Sequence, residues 1–79
     1  MTFTVYSKNG CPACEKAIQL LTKKQANFDV IKISAETGEG TISLSEFKQL
    51  YPKAQSVPYI VQEGSIVGGF NELHKLLAS

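Results

Sequence analysis

The chain has 79 residues, 43% of them hydrophobic, and a formal net charge of +1. That length holds one small domain with one modest core, and it leaves no room for a second domain or a large cofactor-binding domain. Its eight basic residues are all lysine and face seven acids, which argues against nucleic acid as a main partner, because phosphate and base recognition lean on basic patches and arginine forks. No apolar run approaches the ~20 residues of a membrane span and no signal peptide opens the chain. A cytoplasmic setting with no membrane contact is therefore expected.

Thr2 to Tyr6 alternates around Phe3, Val5 and Tyr6 and predicts a short strand. Asn9-Gly10 marks a turn, and Pro12 suits the first position of a helix, where its missing N–H costs nothing. That helix is predicted to run to about Gln25, with Cys14, Ala17, Ile18 and Leu21 as its apolar stripe. Phe28 to Ile33 reads as a second strand, parallel to the first and reached through the helix in a right-handed βαβ unit. Ser34 to Gly40 reads as a polar loop. Ser43 and Glu46 have the spacing of a capping box and start a second helix, with Phe47 and Leu50 inward and Pro52 at its end. Pro58 to Gln62 and Ser65 to Val67 read as a hairpin about Glu63-Gly64. After Gly68-Gly69, the residues Phe70, Leu73, Leu76 and Leu77 mark a third helix. The order β-α-β-α-β-β-α implies a mixed four-stranded sheet with helices on both faces, a thioredoxin-like α/β fold in a single domain spanning residues 1–79.

The chemistry is concentrated in the two cysteines, Cys11 and Cys14. A disulfide across so short a gap constrains the unfolded chain by only roughly 2 kcal/mol, so the pair is a poor staple. A zinc site wants four ligands, and beyond this pair the chain offers only His74, so no metal is expected. A CxxC beside a βαβ pattern reads instead as a redox pair. Cys11 precedes the first helical turn, where unpaired backbone N–H groups favour a thiolate; the amides of Ala13 and Cys14 and the Cys14 thiol are the expected donors. Cys14 begins the buried stripe. Cys11 is thus the expected attacking thiolate and Cys14 the resolving thiol.

Other positions admit two readings each. Lys8 is either an aid to Cys11 or a solvated loop lysine. Pro58 either simply opens a strand in trans, or follows Val57 through a cis bond that presents the Val57 N–H and C=O to an extended peptide. Gly68-Gly69-Phe70-Asn71-Glu72 is either an ordinary hairpin-to-helix turn, with Asn71 as a cap, or a turn whose backbone N–H groups bind a carboxylate. His74 reads as a surface histidine, and Phe28, Phe47 and Tyr59 as packing.

Taken together, Thr-Val-Tyr-Ser-Lys followed by Cys-Pro-Ala-Cys, then Ser56-Val57-Pro58, then Gly68-Gly69-Phe70-Asn71-Glu72-Leu73, resemble the glutaredoxin family over essentially the whole chain. The short length, the Leu-Leu-Thr-Lys-Lys-Gln run and Gly-Gly-Phe resemble bacteriophage members in particular. The resemblance implies a cis Pro58 and a glutathione groove beside Cys11. Lys8 would steer a glutathione carboxylate, and Val57 would pair with the cysteinyl backbone. Gly69, Phe70 and Asn71 would hold the γ-glutamyl end, and Gln55 stands where many relatives place another contact. Pro12, Ala13, Ser56, Gly68 and Glu72 would support the site. Ala13 departs from the family's common tyrosine and removes an aromatic wall, and Ser56 replaces a threonine. Asn71-Glu72 stands where relatives often carry aspartates; Asn71 cannot make a charged pair with the γ-glutamyl ammonium, whereas Glu72 can if its side chain turns inward.

The implied activity is glutathione-dependent reduction of protein disulfides and glutathione mixed disulfides by a monomer, with ribonucleotide reductase a suggested protein substrate. Two other assignments share the cysteine pair. One is a redoxin reduced by thioredoxin reductase; Gly68-Gly69 and Lys8 favour glutathione over it. The other is a two-chain module holding a glutathione-ligated iron–sulfur cluster; Pro12 stiffens the turn, and Cys14 offers a competing disulfide, against it.

Overall fold

The computed structural model describes residues 2–35, 38–54 and 56–78, and these follow the expected order with one strand more. The elements are β1 (Thr2–Ser7), α1 (Pro12–Lys23), β2 (Asn27–Ile33), β3 (Thr41–Ile42), α2 (Leu44–Leu50), β4 (Tyr59–Gln62), β5 (Ser65–Gly68) and α3 (Phe70–Ala78). The sheet therefore has five strands where four were expected, in the order β3-β2-β1-β4-β5. The added strand lies just after the expected polar loop. The Lys32 N–H donates to the Gly40 carbonyl at 3.0 Å and the Ser34 N–H to the Ile42 carbonyl at 2.9 Å, carrying the β2 ladder onto β3. Two residues are too few to show an alternating pattern, so the pairing is visible only in three dimensions.

β1 is the centre of the sheet. It runs parallel to β2, with Val5 opposite Val30, and antiparallel to β4, with Val5 opposite Ile60. The parallel pair needs a crossover, which α1 supplies. That helix ends at Lys23, two residues before the expected boundary. Gln25 turns at φ 57°, and the amides of Lys24 and Ala26 close onto the carbonyls of Leu20 and Leu21.

Alternation along the strands produces two cores. Phe3, Val5 and Ile60 face one way and bury Ala17 and Leu21 of α1 and Leu73 of α3. Tyr6 and Val61 face the other way and pack with Phe47 of α2 and with Ala54. On that second side the rings of Tyr6, Phe47, Tyr51 and Tyr59 form one cluster, with centroids 5.1–5.8 Å apart. Ser43 starts α2 as expected, its hydroxyl accepting the Glu46 N–H at 3.1 Å. No helix among the described residues is long and apolar enough to cross a membrane.

Candidate active site

β1 delivers the chain to the site. Beyond Ser7 it turns through Asn9 and Gly10, whose φ of 72° suits a residue without a side chain, and reaches Cys11 at the N-cap of α1. Cys11 is in extended backbone, and its sulfur accepts the Cys14 N–H at 3.3 Å, while its carbonyl accepts the Glu15 N–H at 3.2 Å. Of the two amides expected at the sulfur, the Cys14 amide makes the bond. Pro12 takes the first helical position, where no N–H is needed.

Cys11 and Cys14 form a disulfide, with their Cα atoms 5.3 Å apart. Their surroundings are unequal. Cys14 is only 2% exposed, whereas Cys11 and Ala13 are half-buried at the surface. The two residues stand one helical turn apart, Cys11 at the surface and Cys14 enclosed by the protein.

The loop before β4 supplies the opposite wall. The Val57–Pro58 bond is cis, and the Val57 carbonyl oxygen lies 3.9 Å from the Cys11 sulfur. Pro58 is buried but precedes the strand it was expected to open: β4 begins at Tyr59, paired with Tyr6, and the proline nitrogen has no hydrogen to offer the ladder. Ser56 is exposed beside it, and Gln55 lies outside the described residues.

The third wall is the turn from β5 into α3. The Leu73 N–H donates to the Gly69 carbonyl at 3.0 Å, so Gly69 caps the helix. The expected cap, Asn71, is instead the second residue of α3. Gly69 has no side chain to cap with. The Glu72 carboxylate does so in reverse, its Oε1 accepting the Gly69 N–H at 2.8 Å, which is one half of a capping box. Gly69 and Glu72 have the three-residue spacing of that motif without its Ser or Thr, so the sequence offers Glu72 as a supporting residue and conditional ion-pair partner but not as a cap.

Ala13, Ser56, Val57, Pro58, Gly69, Phe70, Asn71 and Glu72 line one groove of about 320 Å³. The fold thus brings together five of the seven expected glutathione contacts, Val57, Pro58, Gly69, Phe70 and Asn71, from two separate chain segments, with Ala13 of α1 beside them. Lys8 is exposed and sits to one side of that groove. It lines a depression of about 220 Å³ with Cys11 and Cys14, and another of about 230 Å³ with Phe47, Ser56 and Val57. His74 is exposed, stacks 6.0 Å from the Phe70 ring and lines a depression with Leu20, Lys23, Lys24 and Ala78, which contains neither cysteine. Phe47 and Tyr59 pack in the aromatic cluster and Phe28 against the aliphatic core, as read. Within that aromatic cluster, burial and the neighbouring Tyr51 hydroxyl push the Tyr6 phenol up to about 12.

The family model described as Glutaredoxin matches residues 3–67. Glutaredoxin-2 of Schizosaccharomyces pombe is 30% identical over 76 residues, covering 96% of this chain and 67% of the yeast protein. The solution structure of glutaredoxin from Brucella melitensis is similar at a TM-score of 0.71 and 31% identity, over 99% of this chain and 79% of that one. A buckwheat glutaredoxin, solved as a complex with glutathione, has the same fold at a TM-score of 0.75 and 21% identity, over 96% of this chain and 67% of that one.

Proposed function

Because this chain belongs to the glutaredoxin family and is a thiol–disulfide oxidoreductase, we propose that glutathione is its reductant, with Cys11 as the attacking thiol and Cys14 as the resolving one. The carrying observation is Val57, which joins sulfur and groove. Cys11 is half-buried at the surface, Cys14 is 2% exposed, and Val57, whose carbonyl lies 3.9 Å from the Cys11 sulfur, lines the groove together with Phe70 and Asn71. The buckwheat protein, with the same fold, was solved with glutathione, which supports the reading.

The cycle begins with the dithiol. The Cys11 thiolate attacks one sulfur of a substrate disulfide, forming a Cys11–substrate bond and releasing the other substrate sulfur as a thiol. Cys14 then attacks the Cys11 sulfur, releases the second substrate thiol and leaves the Cys11–Cys14 disulfide. One glutathione attacks Cys11, freeing Cys14 and leaving Cys11 glutathionylated. A second glutathione takes the first away as glutathione disulfide. Each step exchanges one sulfur–sulfur bond for another, and two electrons pass from two glutathiones to the substrate. In a glutathionylated substrate the glutathione is already present, so Cys11 alone suffices.

The groove orients that attack. Val57 pairs with the cysteinyl backbone of glutathione and the amides of Phe70 and Asn71 receive the γ-glutamyl carboxylate at the start of α3. Lys8, beyond Val57, attracts the glycyl carboxylate. Ribonucleotide reductase is the protein substrate that the family resemblance suggests.

The test compares a protein disulfide with a glutathione mixed disulfide, using glutathione as reductant. Cys11→Ser abolishes both activities. Cys14→Ser loses protein-disulfide reduction and keeps at least part of the deglutathionylation. Equal loss of both in Cys14→Ser refutes the division of roles, and turnover driven by thioredoxin reductase but not by glutathione refutes the reductant.

A further inference from the structure

We propose that Glu72 is a positioning residue: its carboxylate holds the Gly68–Gly69 turn in place as a wall of the groove and is not the ion-pair partner of the co-substrate's ammonium group. The inference rests on the glutathione reading above and adds what the groove recognises in that molecule.

Three contacts carry it. The Glu72 Oε1 accepts the Gly69 N–H at 2.8 Å. The same side chain folds back over Gly68, so that a Cβ added there would lie 2.9 Å from both Cγ and Oε1. Gly68 stands at φ 121°, a conformation that side chains rarely adopt, and a Cβ at Gly69 would lie 3.6 Å from the Pro58 carbonyl oxygen. The turn is therefore packed closely against the Glu72 side chain, with the Pro58 carbonyl within van der Waals reach at Gly69. The hydrogen bond ties the last residue before α3 to the first turn of that helix.

Charge points the same way. Glu72 is the one titratable side chain among the described residues that line the groove, and it is already engaged with a backbone donor. Asn71 beside it is neutral. Lys53 lines the adjoining depression together with Glu72, placing a further positive charge on that side. The one carboxylate at this end is turned back onto its own chain through Oε1, and on this proposal an ammonium group there stays in water. The γ-glutamyl end is read through its carboxylate, by backbone amides whose positions depend on the turn.

The experiment measures KM and kcat for glutathione and for N-acetylglutathione, which lacks the ammonium charge, in wild type, Glu72→Gln and Glu72→Ala. Glutamine keeps a carbonyl acceptor for the Gly69 N–H and removes the charge; alanine removes both. The expected result is a KM within about threefold for the two thiols in wild type, and within about twofold of wild type in Glu72→Gln. Glu72→Ala raises KM about tenfold for both thiols with kcat unchanged, the loss of one hydrogen bond to the turn that glutamine still makes. Rescue by glutamine and the split between KM and kcat separate positioning from a merely structural role.

A Glu72→Gln variant as impaired as Glu72→Ala overturns the proposal, as does a wild-type KM that rises about tenfold on N-acetylation. The wild-type and glutamine comparisons decide the matter even if the alanine variant fails to fold. Failure of both thiols to support turnover in wild type, with thioredoxin reductase succeeding, overturns the glutathione reading itself and this inference with it.

Discussion

Beneath α1 and α3 the sheet closes on Phe3, Val5, Ala17, Leu21, Ile60 and Leu73, whereas beneath α2 it closes on the rings of Tyr6, Phe47, Tyr51 and Tyr59. The first side uses two helices of twelve and nine residues and mostly aliphatic contacts; the second uses one helix of seven residues and phenolic rings. Aliphatic burial is insensitive to pH, while a buried phenol must stay protonated. The side that carries the reactive cysteines is thus held by the more inert chemistry. The other side holds the Val57 wall through a short helix and a titratable cluster.

This contrast can be broken at three points. The largest effect is expected from Leu21→Ala. Leu21 is fully buried between α1 and the sheet, and its truncation destabilises the fold by about 2–5 kcal/mol, measured by urea denaturation. A loss below about 1 kcal/mol shows that the aliphatic side is not the stronger half.

The second test is pH. In the fold the Tyr6 phenol is raised from 10.0 to about 12, chiefly by burial and then by Tyr51. The native state therefore keeps a proton that the unfolded chain gives up. The associated stability is complete below pH 10 and is lost as the pH rises towards about 12, at up to about 1.4 kcal/mol per pH unit. Tyr6→Phe has no such proton to lose, so its stability falls less steeply across that window than wild type. Identical slopes for the two proteins contradict the assignment.

The smallest effect is expected from Ser43→Ala, which removes the hydroxyl that caps α2. About 1 kcal/mol is lost, and amide exchange accelerates in α2 while α1 and α3 keep their protection. Uniform acceleration across all three helices shows instead that the two sides unfold as one.

The cysteine pair illustrates what could be read in advance. Pro12 and the stripe from Cys14 through Ala17 to Leu21 are local signals, and they place Cys11 at the helix start and Cys14 inside. The Gly69–Glu72 relation is also local in spacing, yet its meaning depended on where the carboxylate turned. The same spacing serves an inward ion pair and a backward cap, and the Glu72 side chain lying over Gly68 shows that the cap is made. β3 was invisible for a different reason. Its two residues have no pattern of their own, and they form a strand because the β2 edge offers unpaired donors and acceptors.

The sequence by itself determined the order of every element except β3, the redox pair, the unequal setting of its two cysteines and the segments that meet around them. These follow from nearest-neighbour chemistry: helical spacing, caps, alternation and glycine turns. Tertiary structure alone decided that Val57 lies beside the Cys11 sulfur and that Ala13, Pro58 and Asn71 share one groove. It also decided that Glu72 closes a turn of its own chain. Those outcomes depend on contacts between segments far apart along the chain, whose distances are set only once β1 has paired with both β2 and β4.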